Sequence, residues 1–171
     1  MRFDLRSLSV AAGLTLAAVG SAGIAAPPQM DHAAAFMRAL IADRGAAAPT
    51  TRLLEAAARD DPLAEFDLGV LCARGRGVPK DYAEAGRWFR KAADHRVAAA
   101  QFNLGVMYAH SLGVPRDYAL AHMWFSLAAA QGEEDAAKAR DGTAARMTAS
   151  EIADSERMAG AWRPSNLGLR L

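Results

Sequence analysis

The side chains that could carry acid–base, nucleophilic or metal chemistry are four histidines (His32, His95, His110, His122) and one cysteine, Cys72. No two histidines share the i, i+4 spacing that puts a metal-ligand pair on one helix face. The sequence has no H-E-x-x-H, no glycine-rich phosphate loop and no G-x-S-x-G elbow. The densest acidic run, Glu133-Glu134-Asp135, falls at a predicted helix start. The helix dipole favours negative charge there, so it reads as a solvated cap rather than a metal site. His110 near a helix end could ligate or carry a proton, but a lone imidazole without a spaced partner reads as a surface or contact residue. Cys72 has no second cysteine to pair with inside the chain. It is either a thiol that reacts or crosslinks chains or a buried small hydrophobe, and its place on an apolar stripe favours burial. No catalytic residue, metal ligand or cofactor is expected.

The chain that must position any site is 171 residues long, about one domain. Alanine is abundant, aromatics are few, and glycine and proline are scattered rather than clustered, a globular helical composition. Formal net charge is +1 and the two signs are mixed along the chain. No basic stripe provides the footprint that phosphate-backbone binding needs, so nucleic acid is not an expected partner. At the N-terminus, Arg2 and Arg6 precede an apolar or small stretch from Leu8 to Ile24, and Gly23-Ile24-Ala25 offers a small-x-small cleavage site. Residues 1–25 therefore read as an export signal, with Ala22 as a second cleavage position. The competing reading is an uncleaved membrane anchor, since the stretch approaches the ~20 residues of a span. Pro27-Pro28 and the richness in glycine and alanine favour cleavage. The expected location is periplasmic or secreted, with membrane contact only through an uncleaved signal segment.

The strongest signal is internal duplication. Residues 64–99 (AEFDLGVLCARGRGVPKDYAEAGRWFRKAADHRVAA) and 100–135 (AQFNLGVMYAHSLGVPRDYALAHMWFSLAAAQGEED) align without a gap and are identical at 17 of 36 positions. Alanine richness alone does not align Leu68/Leu104, Gly69/Gly105, Gly77/Gly113, Asp81/Asp117 and Trp88/Trp124 at one period. In each unit a first helix carries an apolar stripe (Ala64, Leu68, Cys72). Gly69 beside that stripe removes a side chain so that a neighbouring helix can approach, which offsets its cost of about 1 kcal/mol in a helix. Gly77-Val78-Pro79 breaks the chain, with Gly77 suited to a positive-φ cap. Asp81 is placed to cap the second helix, and Asp81 to Glu84 has capping-box spacing. The second unit keeps Asp117 but has Leu120 at the glutamate position. Ala85, Trp88, Phe89 and Ala92 share one broad face of the second helix.

The pattern A-x-x-x-L-G-x-x-Y followed by G-V-P-x-D-Y-x-x-A-x-x-W-F-x-x-A-A strongly resembles the Sel1-like repeat, a branch of the tetratricopeptide superfamily, over residues 64–132. The resemblance implies an all-α fold, a short right-handed solenoid of antiparallel helix pairs. It also implies a role as an adaptor or scaffold in protein assemblies, often exported in bacteria. Two positions depart from the pattern: Cys72 stands where the second copy has Tyr108, and Arg96 stands where it has Gly132. A non-glycine at the closing position either accepts left-handed strain or ends the helix differently near Asp94-His95. A cysteine-rich subgroup of the family is linked to β-lactam binding or hydrolysis, with a cysteine pair in each repeat. With one cysteine in all, this chain gains little from that link, and hydrolysis of β-lactam or cell-wall amides stands as the disfavoured alternative.

Two repeats are few for a continuous core, so the flanks are expected to complete it. Residues 26–63 read as N-terminal helices forming a degenerate leading repeat. One helix spans 31–44, capped by Asp31 and stopped by Gly45. A second covers 51–60, where Ala56-Ala57 lies one period before Ala92-Ala93. Residues 136–171 read as C-terminal capping helices and a frayed tail, with Gly142 a weak point, Thr148 to Glu151 a capping box, and Pro164 a stop. On the first helix of each unit, Phe66, Val70 and Ala73 lie opposite the Leu68 stripe, as do Phe102, Val106 and Ala109, with Arg74 and His110 at the rim. By the resemblance, that face lines a concave groove that binds a peptide or protein partner. The plainer alternative is that Phe66 and Phe102 pack onto adjacent helices of the stack.

Overall fold

A computed structural model describes residues 48–163. The expected export signal, the helix at 31–44 and the stop at Pro164 lie outside the described residues. Within them the chain forms seven helices and no strand: α1 (Ala48–Ala57), α2 (Pro62–Arg74), α3 (Tyr82–Asp94), α4 (Ala98–His110), α5 (Tyr118–Ala129), α6 (Glu134–Ala144) and α7 (Ala149–Ala161). Each helix from α1 to α5 packs on the next one described, and α7 packs on α5. The fold is an all-α solenoid of helix pairs. Among the described residues no helix is long and apolar enough to cross a membrane.

The helix starts follow from side-chain chemistry. The Asp61 carboxylate accepts from the backbone N–H of Leu63 and Ala64, with Pro62 in the first turn. Asp81 accepts from Glu84 N at 3.0 Å and Asp117 from Leu120 N at 2.9 Å. The reciprocal half of the expected Asp81–Glu84 capping box is not made. Asp81 N instead donates to Cys72 O, and Asp117 N donates to Tyr108 O, tying each second helix to the end of its first. Glu84 is buried and takes the Arg87 guanidinium at 2.6 Å. Leu120 can therefore replace glutamate without loss of a cap. The box at Thr148–Glu151 is complete in both directions.

Gly77 does have a positive φ (73°), but it does not end the first helix. That position belongs to Gly75 (φ 69°), whose N–H reaches Leu71 O, and in the second repeat to Ser111 (φ 59°). The units close on a further left-handed residue, and here Arg96 does accept the strain, at φ 65° against 87° for Gly132. Asp60, one period before Arg96, is left-handed too (φ 58°). The turn bonds repeat with it: Asp61 N to Ala56 O, Val97 N to Ala92 O, and Glu133 N to Ala128 O. By that geometry α1 is the second helix of a leading unit.

The core runs through the pairs as one cluster that includes Leu68, Cys72, Ala85, Trp88, Phe89, Leu104, Met107 and Trp124. A Cβ on Gly69 would meet the Phe89 ring at 2.6 Å, and one on Gly105 would meet Phe125 at the same distance. These glycines let the ring lie flat against the first helix of its own pair. The aliphatic and cationic parts of Lys91 and Arg90 cover the indoles: Lys91 lies over Trp88 at 5.0 Å and Arg90, from α3, over Trp124 at 4.6 Å. Trp162, after α7, meets Trp124 edge-on at 5.8 Å and covers the last repeat as a next unit would.

Candidate functional site

Phe66, Val70 and Arg74 recur on α2 at the spacing of one helical stripe, and Phe102, Val106 and His110 repeat it on α4. Both phenylalanines are half-buried. Phe66 lies tilted against Phe89 at 5.8 Å, and Phe102 against Phe125 at 5.5 Å. Each ring therefore packs on the second helix of its own pair, as the plainer reading expects, and remains partly exposed.

Among the described residues, the second copy of the stripe lines a cleft. Phe102, Val106, Ala109 and His110 line a cleft of about 380 Å³ between α4, the start of α5 and α6. Tyr118 and Phe125 contribute from α5, and Ala139, Gly142, Thr143 and Arg146 from α6 and the turn beyond it. Phe66, Val70 and Arg74 sit outside this cleft, one unit earlier. The room in this cleft is readable by period. Where α6 has Ala139 and Gly142, α4 has Asn103 and Val106 one repeat before. The larger side chains at these two positions one repeat earlier are replaced by smaller ones here. A Cβ on Gly142 would meet nothing within 4 Å. Arg146 donates to the Tyr118 hydroxyl at 3.1 Å, and its guanidinium lies 5.7 Å from the ring centre. That hydrogen bond, with Arg116 nearby, lowers the phenol pKa.

The cleft is apolar on its floor and cationic at its rim, with no carboxylate in its lining. That arrangement suits capture of a side chain and an anion rather than proton transfer between paired groups. Among the described residues no group of three or more His, Cys, Asp or Glu could hold a metal. Cys72 is buried, and burial first, then Glu84 and Asp81, push its thiol up to about 12. The thiolate, the reactive form, is suppressed at neutral pH.

Sequence reasoning missed the buried polar pairs. His122 Nδ1 meets Ser155 Oγ at 2.8 Å inside the α5–α7 contact, and Ser155 Oγ donates to Ile152 O. Since that hydroxyl has one proton, His122 Nδ1 is the donor to it. Burial first, then Arg140, lowers the His122 pKa against the opposing pull of Glu156 and Asp141. Glu65 faces His95 at 3.7 Å in the first repeat, and Gln131 donates to Gln101 at 2.6 Å in the second. The period held a signal for these: positions 65 and 101, and 95 and 131, change together from an ionisable pair to a neutral one.

The Sel1 repeat family model matches residues 62–96 and 98–133. No curated protein matches the chain. Among solved structures, the chain is similar to c5321, a protective antigen of uropathogenic Escherichia coli displaying an SLR fold. The two are 35% identical with a TM-score of 0.62, over 64% of this chain and 24% of that one. It is also similar to a Sel1 repeat protein from Oxalobacter formigenes, 35% identical with a TM-score of 0.51, over 60% of this chain and 42% of the other. The chain thus spans less than half of either neighbour. Sel1 repeats generally mediate contacts between proteins, and proteins built from them are generally scaffolds rather than enzymes. Two adjacent repeat matches, the 36-residue turn geometry and two like-folded neighbours place this chain in the Sel1-like repeat family.

Proposed function

We propose that the chain is a non-catalytic binding module that acts outside the cytoplasm, as a periplasmic or secreted protein, and holds a peptide or exposed segment of a partner protein along its first helices. The cleft by Phe102, Val106 and His110 is the main contact, and Phe66, Val70 and Arg74 extend it one unit back. The observation that carries the reading is Gly142. A glycine inside a helix costs about 1 kcal/mol relative to alanine, and here nothing packs close enough to require it. Its structural consequence is an open apolar notch beside Phe102. The location rests on the N-terminal charge and apolar pattern from Arg2 to Ala25.

The test is a photoreactive amino acid placed at Val106 in the full chain in living cells, with Arg87 on an exposed part of α3 as the control position. Mass spectrometry should recover a partner adduct from Val106 and not from Arg87. A reporter active only outside the cytoplasm, fused to the C-terminus, should be active with the N-terminal 25 residues and inactive without them. Turnover of nitrocefin by the purified protein would replace this reading with the hydrolytic one.

A further inference from the structure

The repeat period sets a second feature beside the apolar notch. Arg74, His110 and Arg146 stand at successive 36-residue intervals, at or just beyond the ends of α2, α4 and α6. His110 and Arg146 line the same cleft, and Arg74 takes the corresponding exposed place one unit back. None of the three makes an ion pair with a described residue, whereas Asp141, Asp135 and Asp154 elsewhere on the last two helices are each matched to a local cation. Arg146 instead spends its donor on the Tyr118 phenol, which keeps its charge in the cleft uncompensated.

Resting on the binding role proposed above, we propose that the partner segment is an acidic-amphipathic peptide, whose carboxylates meet Arg74 and Arg146 on the rim that also carries His110, while its apolar side chains enter the notch by Phe102 and Val106. Charge complementarity supports this form of ligand: no described carboxylate pairs with Arg74 or Arg146, and the cleft beside Arg146 has an apolar floor with no carboxylate in its lining.

The experiment pans a displayed library of random peptides against the immobilised full chain and against an Arg74→Glu, Arg146→Glu double variant. Both positions are exposed or at the cleft rim, and matching thermal midpoints establish that the variant is folded. The expected pool for the native chain is enriched in Asp and Glu interspersed with apolar residues. Converting those acids to Asn and Gln in a selected peptide should weaken binding roughly tenfold, as for a few partly exposed ion pairs. The double variant should select Lys and Arg instead. A pool without acidic bias, an acidic bias unchanged in the double variant, or no enrichment over bare support each overturns the proposal. The binding role itself is judged apart, by the Val106 adduct: an adduct in cells with an acid-indifferent pool sinks the charge assignment alone.

Discussion

In the first repeat, α2 ends on Gly75 at φ 69° and the unit closes on Arg96 at φ 65°. In the second, α4 ends on Ser111 at φ 59° and the unit closes on Gly132 at φ 87°. At its helix end and its close, each repeat thus has one glycine and one side-chain-bearing residue, in opposite order, on the same hydrogen-bonded turns; the left-handed position between them is glycine in both, Gly77 and Gly113. A non-glycine there costs about 1–2 kcal/mol. The turn survives the exchange because it is set from outside itself: by the Asp81 and Asp117 N–H groups held by the preceding helix ends, and by the indoles buried beneath. Ser111 also recovers something locally, since its hydroxyl donates to Val114 O at 3.1 Å. Packing fixes the backbone, and glycine only lowers its cost.

If that is right, the largest effects come from the packing. Trp88→Ala and Trp124→Ala should each cost ~3–5 kcal/mol in denaturant unfolding. Trp124→Ala should cost at least as much, because it also strands Trp162. In a short stack either change propagates to the neighbouring unit. Equal midpoints for wild type and either variant would mean the repeats are not held by their indoles.

The loop glycines separate the repeats next. A Cβ on Gly113 would lie 2.5 Å from Ala83 N and the Tyr82 carbonyl carbon, backbone of the preceding unit. At Gly77 it would meet only Thr50 Oγ1, at 4.0 Å. Gly113→Ala should therefore cost about 2–5 kcal/mol, strain plus overpacking, and Gly77→Ala only about 1–2 kcal/mol of backbone strain. A reversed order would show that the second loop does not rest on the first repeat as described.

The exchange of strain can be measured at the closing turns themselves. Arg96→Gly should stabilise the protein by ~0.5–1 kcal/mol, once relief of strain has offset the added unfolded-state entropy of glycine. Gly132→Arg should destabilise it by about 1–2 kcal/mol. Loss of stability in Arg96→Gly would reveal a contact by Arg96 worth more than the strain it bears.

How much of this was legible in the sequence follows the same division. The repeat, its caps at Asp81, Asp117 and Thr148, and the buried Trp, Gly and Cys positions were readable, because each is a local pattern or one repeated at a fixed period. The helix-ending Gly75 was hidden by the more conspicuous Gly77, two residues on and equally left-handed. The cleft was half legible: Phe102, Val106 and His110 shared a helix face, but its far wall depends on Gly142, which read only as a weak point in a helix. Tyr118 and Arg146 entered the site through the fold alone. The His122–Ser155 bond joins residues 33 apart on helices of different units, which no local spacing signals.

That bond gives the smallest of the contrasts. The first repeat has Gly86 where the second has His122. The folded state lowers the His122 pKa below its ordinary 6.5, so the unfolded chain binds the proton more readily. Its contribution is complete above pH about 6.5 and is lost as pH falls from there through the lowered folded value. The readout is the difference between the two proteins. The acid loss of stability should be smaller in His122→Gln than in wild type, and identical pH profiles would show that the buried imidazole is not coupled to folding.

The cleft tests the central claim most directly. Gly142→Val restores the residue that Val70 and Val106 place in this column, in space where a Cβ meets nothing. The fold should be at least as stable, since a helical glycine is removed. The partner adduct from a photoreactive residue at Val106 should nonetheless fall severalfold in cells, because the notch is filled. An undiminished adduct from a variant with an unchanged or higher Tm would contradict the account and move the binding surface elsewhere on the repeats.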